Sequence, residues 1–309
     1  MYFIGLLDKL IKTKDEYYIS PIALTFVKNI CMIRIAFISS LMIICFNYCA
    51  AQYYYKDILN TQNTSSELIK YKNATIAKVK LSSFEADGTI TKDFFCEKKI
   101  SKDYKKTTLL SLDAELGKSI FETYYNEKNN IIKTVDSSEQ FSCTTNFIYD
   151  ENNRLFSAIS HSSSHDDDFI NNSIEAHQFE YDQKGNPKRL LIIKNQKDTT
   201  VILFSCNEKG QVIVEKDTKT AFKYYYYYDD KNHLTDVVHM SEYNIKPTPD
   251  YIFEYNSNDE ITQMITSGEQ KANSMIWKYD YENGLRIKER YFSSSKKYLG
   301  KIEYQYQHY

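Results

Sequence analysis

The chain has 309 residues, is 42% apolar and 15% aromatic, and carries a formal charge of −2. That length admits one or two domains, and the apolar share is enough for a sizeable core. The near-balanced charge, with no basic run, excludes the electrostatic footprint of a nucleic-acid-binding protein.

Residues 1–31 read as an upstream extension ahead of a true start at Met32, the alternative being a long cytoplasmic n-region. Residues 32–51 read as a secretory signal: Met32, Arg34, an apolar run from Ile35 to Phe46, then Cys49-Ala50-Ala51 before Gln52. The run is shorter than the ~20 residues of a membrane helix, which favours cleavage over a type II anchor. The apolar stretch Ile22–Val27 keeps the anchor reading open. The residues before Cys45 and Cys49 are too large for a lipidated cysteine. Removal of residues 1–51 takes away five basic and three acidic side chains, and the formal charge moves from −2 to −4. The expected location is therefore the periplasm, the outer surface or the medium, with membrane contact only through the signal segment.

Residues 52–74 form a polar segment with room for a short helix, capped by Ser65 or Ser66. From residue 75 to residue 309 the text is strand-like. Ala77-Lys78-Val79-Lys80-Leu81 alternates, as does Cys143 to Tyr149, and Met275, Trp277, Tyr279 and Tyr281 share one face.

One phrase recurs every ~22 to 32 residues and implies a repeated supersecondary unit. It runs aromatic, spacer, Tyr, Asp or Asn, two polar residues, then Gly, Asn or Asp, a spacer and an aliphatic. Copies begin at Tyr125-Asn126, Tyr149-Asp150, Tyr181-Asp182, Cys206-Asn207, Tyr228-Asp229 and Tyr255-Asn256. Asp150, Asp182, Asn207, Asp229 and Asn256 suit the first position of a type I turn, where the side chain accepts a backbone N–H two residues on. Asn153, Gly185, Gly210, Asn232 and Asp259 follow three residues later, and all tolerate positive φ. A type I turn closed by a left-handed residue is a common hairpin connection that builds in a bulge. Tyr281-Glu282-Asn283-Gly284-Leu285 is one residue shorter and suits a two-residue turn. Phe84 to Ile90 resembles a degenerate first copy, and Tyr304-Gln305-Tyr306 a final half-repeat that closes the C-terminal edge.

These phrases resemble the YD repeats of the RHS family, aromatic-x-Tyr-Asp-x-x-Gly-x-Leu, at Phe147–Leu155, Phe179–Pro187, Phe204–Val212, Tyr226–Leu234 and Phe253–Ile261. The resemblance covers residues 120–309 and, more weakly, the chain from residue 84. It implies strand–turn–strand geometry and an envelope location; in the family long arrays spiral into a shell, and some members are described as carbohydrate-binding. This chain has too few repeats to enclose a domain, and the motif transfers no catalytic residue. The fold expected is thus all-β: an elongated antiparallel meander of repeated hairpins, a curled sheet of ~14 to 18 strands counted two per repeat.

Cys96, Cys143 and Cys206 survive cleavage. Cys206 stands at a repeat's Tyr position and reads as an inward packing residue. Cys96 and Cys143 are a candidate disulfide in an oxidising compartment. The most site-like stretch is His161 to Asp168, with His177 beyond it. His161, His165 and Asp166 are weak candidates for metal ligands in an enlarged loop, although the serine-rich stretch is a poor helix and lacks the glutamate of the zinc-protease motif. No phosphate-cradling loop, Gly-x-Ser-x-Gly elbow or Cys-x-x-Cys is present, so neither a catalytic group nor a cofactor is expected. The run Tyr224–Tyr228 reads as one strand with rings on both faces. The functional expectation is a non-enzymatic exported scaffold that binds a protein or glycan partner and no nucleic acid. The alternatives are a component of a toxin system, as a shell fragment or immunity protein, and a metal-dependent hydrolase using residues 161–177.

Overall fold

A computed structural model describes residues 53–113, 117–138, 141–164, 172–220, 222–240, 246–267 and 274–309. All belong to one compact unit, 51–309. The upstream stretch 1–31, the segment 32–51 read as a signal, and the two loop candidates His165 and Asp166 lie outside the described residues.

The described chain opens with a helix, α1 (Lys56–Asn73). Eighteen strands follow. They are β1 (Ile76–Glu85), β2 (Phe95–Ile100), β3 (Lys106–Asp113), β4 (Gly117–Tyr125), β5 (Ile131–Ser138) and β6 (Phe141–Tyr149). Next come β7 (Leu155–Ser164), β8 (Asn172–Tyr181), β9 (Pro187–Lys194), β10 (Asp198–Cys206), β11 (Val212–Asp217) and β12 (Lys223–Tyr228). The last are β13 (Leu234–Met240), β14 (Thr248–Tyr255), β15 (Ile261–Thr266), β16 (Met275–Glu282), β17 (Leu285–Ser293) and β18 (Tyr298–His308).

Each strand pairs antiparallel with the next in sequence. The last, β18, pairs with the first over nine register positions from Ile76↔His308 to Glu85↔Gly300. The expected elongated, curled meander is therefore corrected: the sheet is a closed 18-stranded antiparallel barrel. The physical reason is edge chemistry. An open sheet leaves two rows of unpaired N–H and C=O groups, and closure satisfies both. The C-terminal half-repeat supplies that seam, with Tyr304 opposite Leu81 and Tyr306 opposite Val79.

The repeat phrases form seven hairpins at one end of the barrel. In each of the six longer copies the residue expected to be left-handed is so: Asn129, Asn153, Gly185, Gly210, Asn232 and Asp259 have φ between 61° and 88°. The leading Asp or Asn side chain takes the backbone N–H groups beyond it. Asn126 Oδ1 accepts from Lys128 and Asn130, and Asp182 Oδ1 from Lys184 and Asn186. The extra left-handed residue must be absorbed by a bulge, and the ladder register shifts at the repeat's own Tyr or Cys in every copy, as at Ile148/Tyr149 and Ser205/Cys206. That shift sets Tyr149 opposite Leu155, Tyr228 opposite Leu234 and Tyr255 opposite Ile261. The shortened copy uses Asn283 at φ 51° and Gly284 at φ 76°. The segment Phe84–Ile90 is different. It bridges Phe84 to Ile90 after β1, so it turns at the barrel's other end and is not a copy in phase with the rest.

Three tyrosines of the phrase, and Tyr306 of the final half-repeat, share a second task. Tyr181 Oη donates to Leu155 O, Tyr228 to Val212 O, Tyr255 to Leu234 O and Tyr306 to Arg286 O, at 2.7–2.9 Å. Each acceptor belongs to the preceding hairpin. The ring thus fills the interior while the hydroxyl clasps one unit to the previous one, as the amphipathic side chain allows. Cys206 keeps this pattern in weaker form, its Sγ 3.5 Å from Pro187 O.

Inward positions form the core. Phe179, Leu190, Ile192, Ile202, Val212, Tyr224, Tyr226 and Val237 pack together on β8–β13 around Ile58 of the helix. Leu68, Tyr125 and Ile131 form a second cluster near the hairpin end. The helix therefore touches inward residues on opposite sides of a closed wall and lies inside the barrel. Its 18 residues span ~27 Å along the lumen. Thr75, at φ 52°, turns the chain out of the helix into β1.

Candidate functional site

The lumen is where the chain places its unusual chemistry, and it is built around the start of α1. The first N–H groups of a helix have no partner within it and need an acceptor. Neither Ser65 nor Ser66 supplies one, contrary to the sequence expectation. Both lie in the middle of the helix, and Ser65 Oγ donates to Thr61 O. The acceptor is instead a wall residue 160 positions away. Glu215 of β11 takes the Tyr54 N–H at 2.8 Å and the Tyr55 N–H at 2.9 Å, and the Tyr226 hydroxyl at 2.7 Å. It is 2% exposed, and burial pushes its carboxyl up to about 7 against the lowering effect of those three donors.

A second wall contact holds the first turn. His177 of β8 bonds through Nδ1 to Asp57 and through Nε2 to Glu175 at 2.8 Å, and Glu175 also pairs with Lys194 at 3.1 Å. Burial alone would depress the imidazole, but the two carboxylates override it and raise His177 to about 9. Its hydrogen bond in turn lowers Glu175 to about 2. The ring of Tyr54 meets the imidazole edge-on at 5.6 Å. Tyr53 and Tyr55 enter an aromatic nest, with Tyr53 at 5.7 Å from both Tyr224 and Tyr251, and Tyr55 at 5.2 Å from Tyr226.

A third contact secures the other end of the helix. Glu67 accepts from the Tyr71 hydroxyl at 2.7 Å and from Lys98 Nζ of β2 at 2.9 Å. Burial tends to raise Glu67, and Lys98 and Tyr71 win and hold it below the usual carboxylate range. Beside it on β17 and β18, Arg286 bonds Glu289 at 2.6 Å and lies over the Tyr279 ring at 4.2 Å, and Tyr304 donates its hydroxyl to the same Glu289 oxygen. Glu289 is 1% exposed, whereas the Arg286 side chain remains 34% exposed.

This arrangement ties both ends of the helix to the wall. Both nitrogens of His177 are occupied, which leaves none to take a proton from a substrate. His239 has one carboxylate partner, Asp250, with Nδ1 2.8 Å from both oxygens, and stacks on Phe222 at 5.4 Å. No serine, threonine or cysteine is hydrogen-bonded to its Nε2 among the described residues, so the pair lacks the nucleophile of a triad.

The sequence-derived candidates are dispersed. His161 is exposed on the outer face of β7, paired with Ile174 and Thr144, whereas His177 faces inward. The two do not share a site: His161 lies opposite Ile174, which is three residues from His177 on β8 and therefore on the other face. Among the described residues no group of three His, Cys, Asp or Glu side chains could hold a metal ion. The Cys96–Cys143 disulfide is also corrected. Neither cysteine is in a disulfide, and β2 and β6 are separated by three strands. At ~4.8 Å per strand that is ~19 Å along the wall, far beyond the ~7 Å that a disulfide bridges.

Sequence reasoning missed Glu215, Asp57 and Glu67. Glu215 carried a faint signal: it is a carboxylate that follows the apolar run Val212-Ile213-Val214 within one short strand. An isolated acid on a core face marks a buried partner.

No family model and no curated protein matches the chain. Among solved structures it is similar to a porin-like protein from Bacteroides uniformis, at 10% identity over 75% of this chain and 98% of that chain, with a TM-score of 0.36. A porin-like protein from Bacteroides vulgatus matches over the same shares at 10% identity and a TM-score of 0.26. A chain of the TcdB2-TccC3-Cdc42 complex matches at 12% identity over 68% of this chain and 14% of that chain, with a TM-score of 0.29. Likenesses this distant assign neither family nor function to the chain.

Proposed function

We propose that the protein is a non-enzymatic exported scaffold: a barrel closed by its own N-terminal helix, which presents its outer wall to a protein or glycan partner. The observation that carries this reading is the commitment of the lumen. Asp57, Glu67, Lys98, His177 and Glu215, the charged groups around the helix, bond the helix to the wall or one another. An 18-stranded barrel is wide enough for an aqueous channel. Here the helix and inward rings such as Trp277, Tyr279 and Tyr291 occupy the interior instead.

The outer wall supports a water-facing scaffold over part of its circumference. On β1, β2, β17 and β18 it carries Lys78–Glu97 at 3.3 Å, Lys288–Glu303 at 3.8 Å and Lys301–Glu303 at 2.6 Å. A lysine at the midplane of a lipid-facing wall costs ~2–4 kcal/mol, so these strands fit water and not hydrocarbon. Export rests on the signal reading of residues 32–51.

The test is capture of the mature chain's partner from its native envelope, with mass spectrometry of proteins and attached glycans, beside a glycan array. The outward rings Tyr225 and Tyr227 are the recognition surface of choice, Tyr227 being 51% exposed. A specific partner whose binding is lost in the Tyr225→Ala, Tyr227→Ala double variant, with the fold intact, supports the proposal. Turnover of a substrate by the purified chain overturns it.

A further inference from the structure

The closed sheet is complete without its helix. Every strand pairs with a strand on each side, and among the described residues the ladder takes no main-chain hydrogen bond from α1. The helix reaches the wall through side chains, and these are unevenly placed along it. Glu215 and His177 hold its N-terminal turn through the Tyr54 and Tyr55 N–H groups and Asp57. In the C-terminal half the tie is Glu67–Lys98, with side chains 45% and 22% exposed, and pairs so exposed contribute little. Four of the 18 helix residues are buried: Ile58, Thr61, Leu68 and Tyr71. Gln62, Asn63, Ser66, Ile69, Lys70 and Asn73 are exposed on the other side, Ile69 at 42%, so that side is not packed against a wall.

The link between helix and sheet has the form of a pivot. Two residues, Ala74 and Thr75, separate α1 from β1. Both are pinned to the end of the last strand: Ala74 O accepts from His308 Nδ1 at 2.7 Å, and Thr75 O accepts the Tyr309 N–H at 3.0 Å. Thr75 is β-branched and sits at φ 52°, a left-handed conformation that strains such a residue and persists only while the packing on both sides enforces it. A latch at the N-terminal end and a strained pivot at the C-terminal end make the helix a lever ~27 Å long. We propose that α1 is a hinged plug: it leaves the lumen by turning about Ala74–Thr75 while β1–β18 stay closed, and so bares the aromatic inner wall at Phe204, Tyr224, Tyr226 and Tyr251. The open form is a sub-global opening of the native state, reached at less free energy than global unfolding. The plug needs no assumption about what the outer wall binds.

The experiment is native-state hydrogen exchange of the mature chain across sub-denaturing urea, read by mass spectrometry on peptides from α1 and from the seam strands β1 and β18. A helix of this length without a wall to pack on is marginal in water, so its amides exchange once it leaves. The expected result is that α1 amides, corrected for intrinsic rates, exchange roughly tenfold or more ahead of the seam amides, on a much shallower urea slope, because releasing the helix exposes far less surface than unfolding the barrel. Asp57→Ala removes part of the latch and should speed α1 exchange about tenfold or more, the worth of one charged hydrogen bond, with β1 and β18 unchanged. Binding of the apolar dye ANS should rise in the same variant as the aromatic wall is bared. Wild-type α1 amides that exchange only together with β1 and β18 overturn the proposal, since the barrel then unzips rather than sheds a plug. So does α1 exchange that rises in Asp57→Ala without a rise in dye binding, which means that the helix unwinds in place.

Discussion

The helix lock gives a stability that depends on pH in a defined window. His177 is raised from 6.5 to about 9 by Asp57 and Glu175. A group whose folded value is raised contributes fully below its unfolded value and loses the contribution as pH climbs through the folded one. The contribution should therefore be complete at pH 6.5 and gone by about pH 10. At 1.36 kcal/mol per unit the shift corresponds to on the order of 3 kcal/mol. Solvent screening takes little from it, since the imidazole is only 12% exposed. The assay is urea unfolding of wild type and His177→Gln at half-unit steps from pH 7 to pH 9, read as the difference between them, so that Glu215 and the buried tyrosines, raised in both, cancel. The stability difference between wild type and His177→Gln should shrink by about 2 kcal/mol across that range, as His177 loses its proton in the folded state. Limited trypsin digestion adds a local readout, because an undocked helix exposes Lys56 to cleavage. A His177→Gln variant that loses as much stability as the wild type between pH 7 and pH 9 would refute the assignment of His177 as the charged clamp.

Glu215 behaves oppositely to a surface acid. Its carboxyl is raised to about 7 by burial, so ionisation costs stability as pH rises from 4.5 through 7. Glu215→Gln should remove that slope and be neutral or stabilising at pH 8, whereas Glu215→Ala strands the Tyr54 and Tyr55 N–H groups and should cost ~1–3 kcal/mol in denaturant unfolding. Gly300→Ala should be the harshest small substitution in the wall. A Cβ there meets Phe84 O at 2.4 Å and Tyr291 Oη at 2.2 Å, and backbone cannot move aside cheaply, so a loss of ~3 kcal/mol in thermal unfolding is expected. Tyr255→Phe removes the clasp on Leu234 O and should cost ~1 kcal/mol with no change in the far-ultraviolet dichroism. In the folded state, thiol titration should find Cys96 inert, since burial pushes it up to about 12, and Cys206 should react ahead of it.

The hairpins were legible because their constraints are local. A positive φ at Asn153 or Gly185 is a property of one residue and its neighbours, and so is the Asx-type acceptance by Asp150 or Asp182. Alternation along Cys143 to Tyr149 marks which side chains share a face. The same locality gave nothing about the helix start. Ser65 is a good N-cap type, yet the interior acceptor Glu215 let the helix begin at Lys56, nine residues earlier, because satisfied amides matter more than which residue satisfies them.

Closure was a tertiary decision. Seven successive hairpins specify a meander of either shape, and the choice between an open sheet and a barrel is made where β18 finds β1 across more than 200 residues, Ile76 opposite His308. The pairing of Asp57 with His177, 120 positions apart, depends on that seam. Turn chemistry is written residue by residue in the chain; which wall the helix meets, and which acids it meets there, exists only once the sheet has returned to its own first strand.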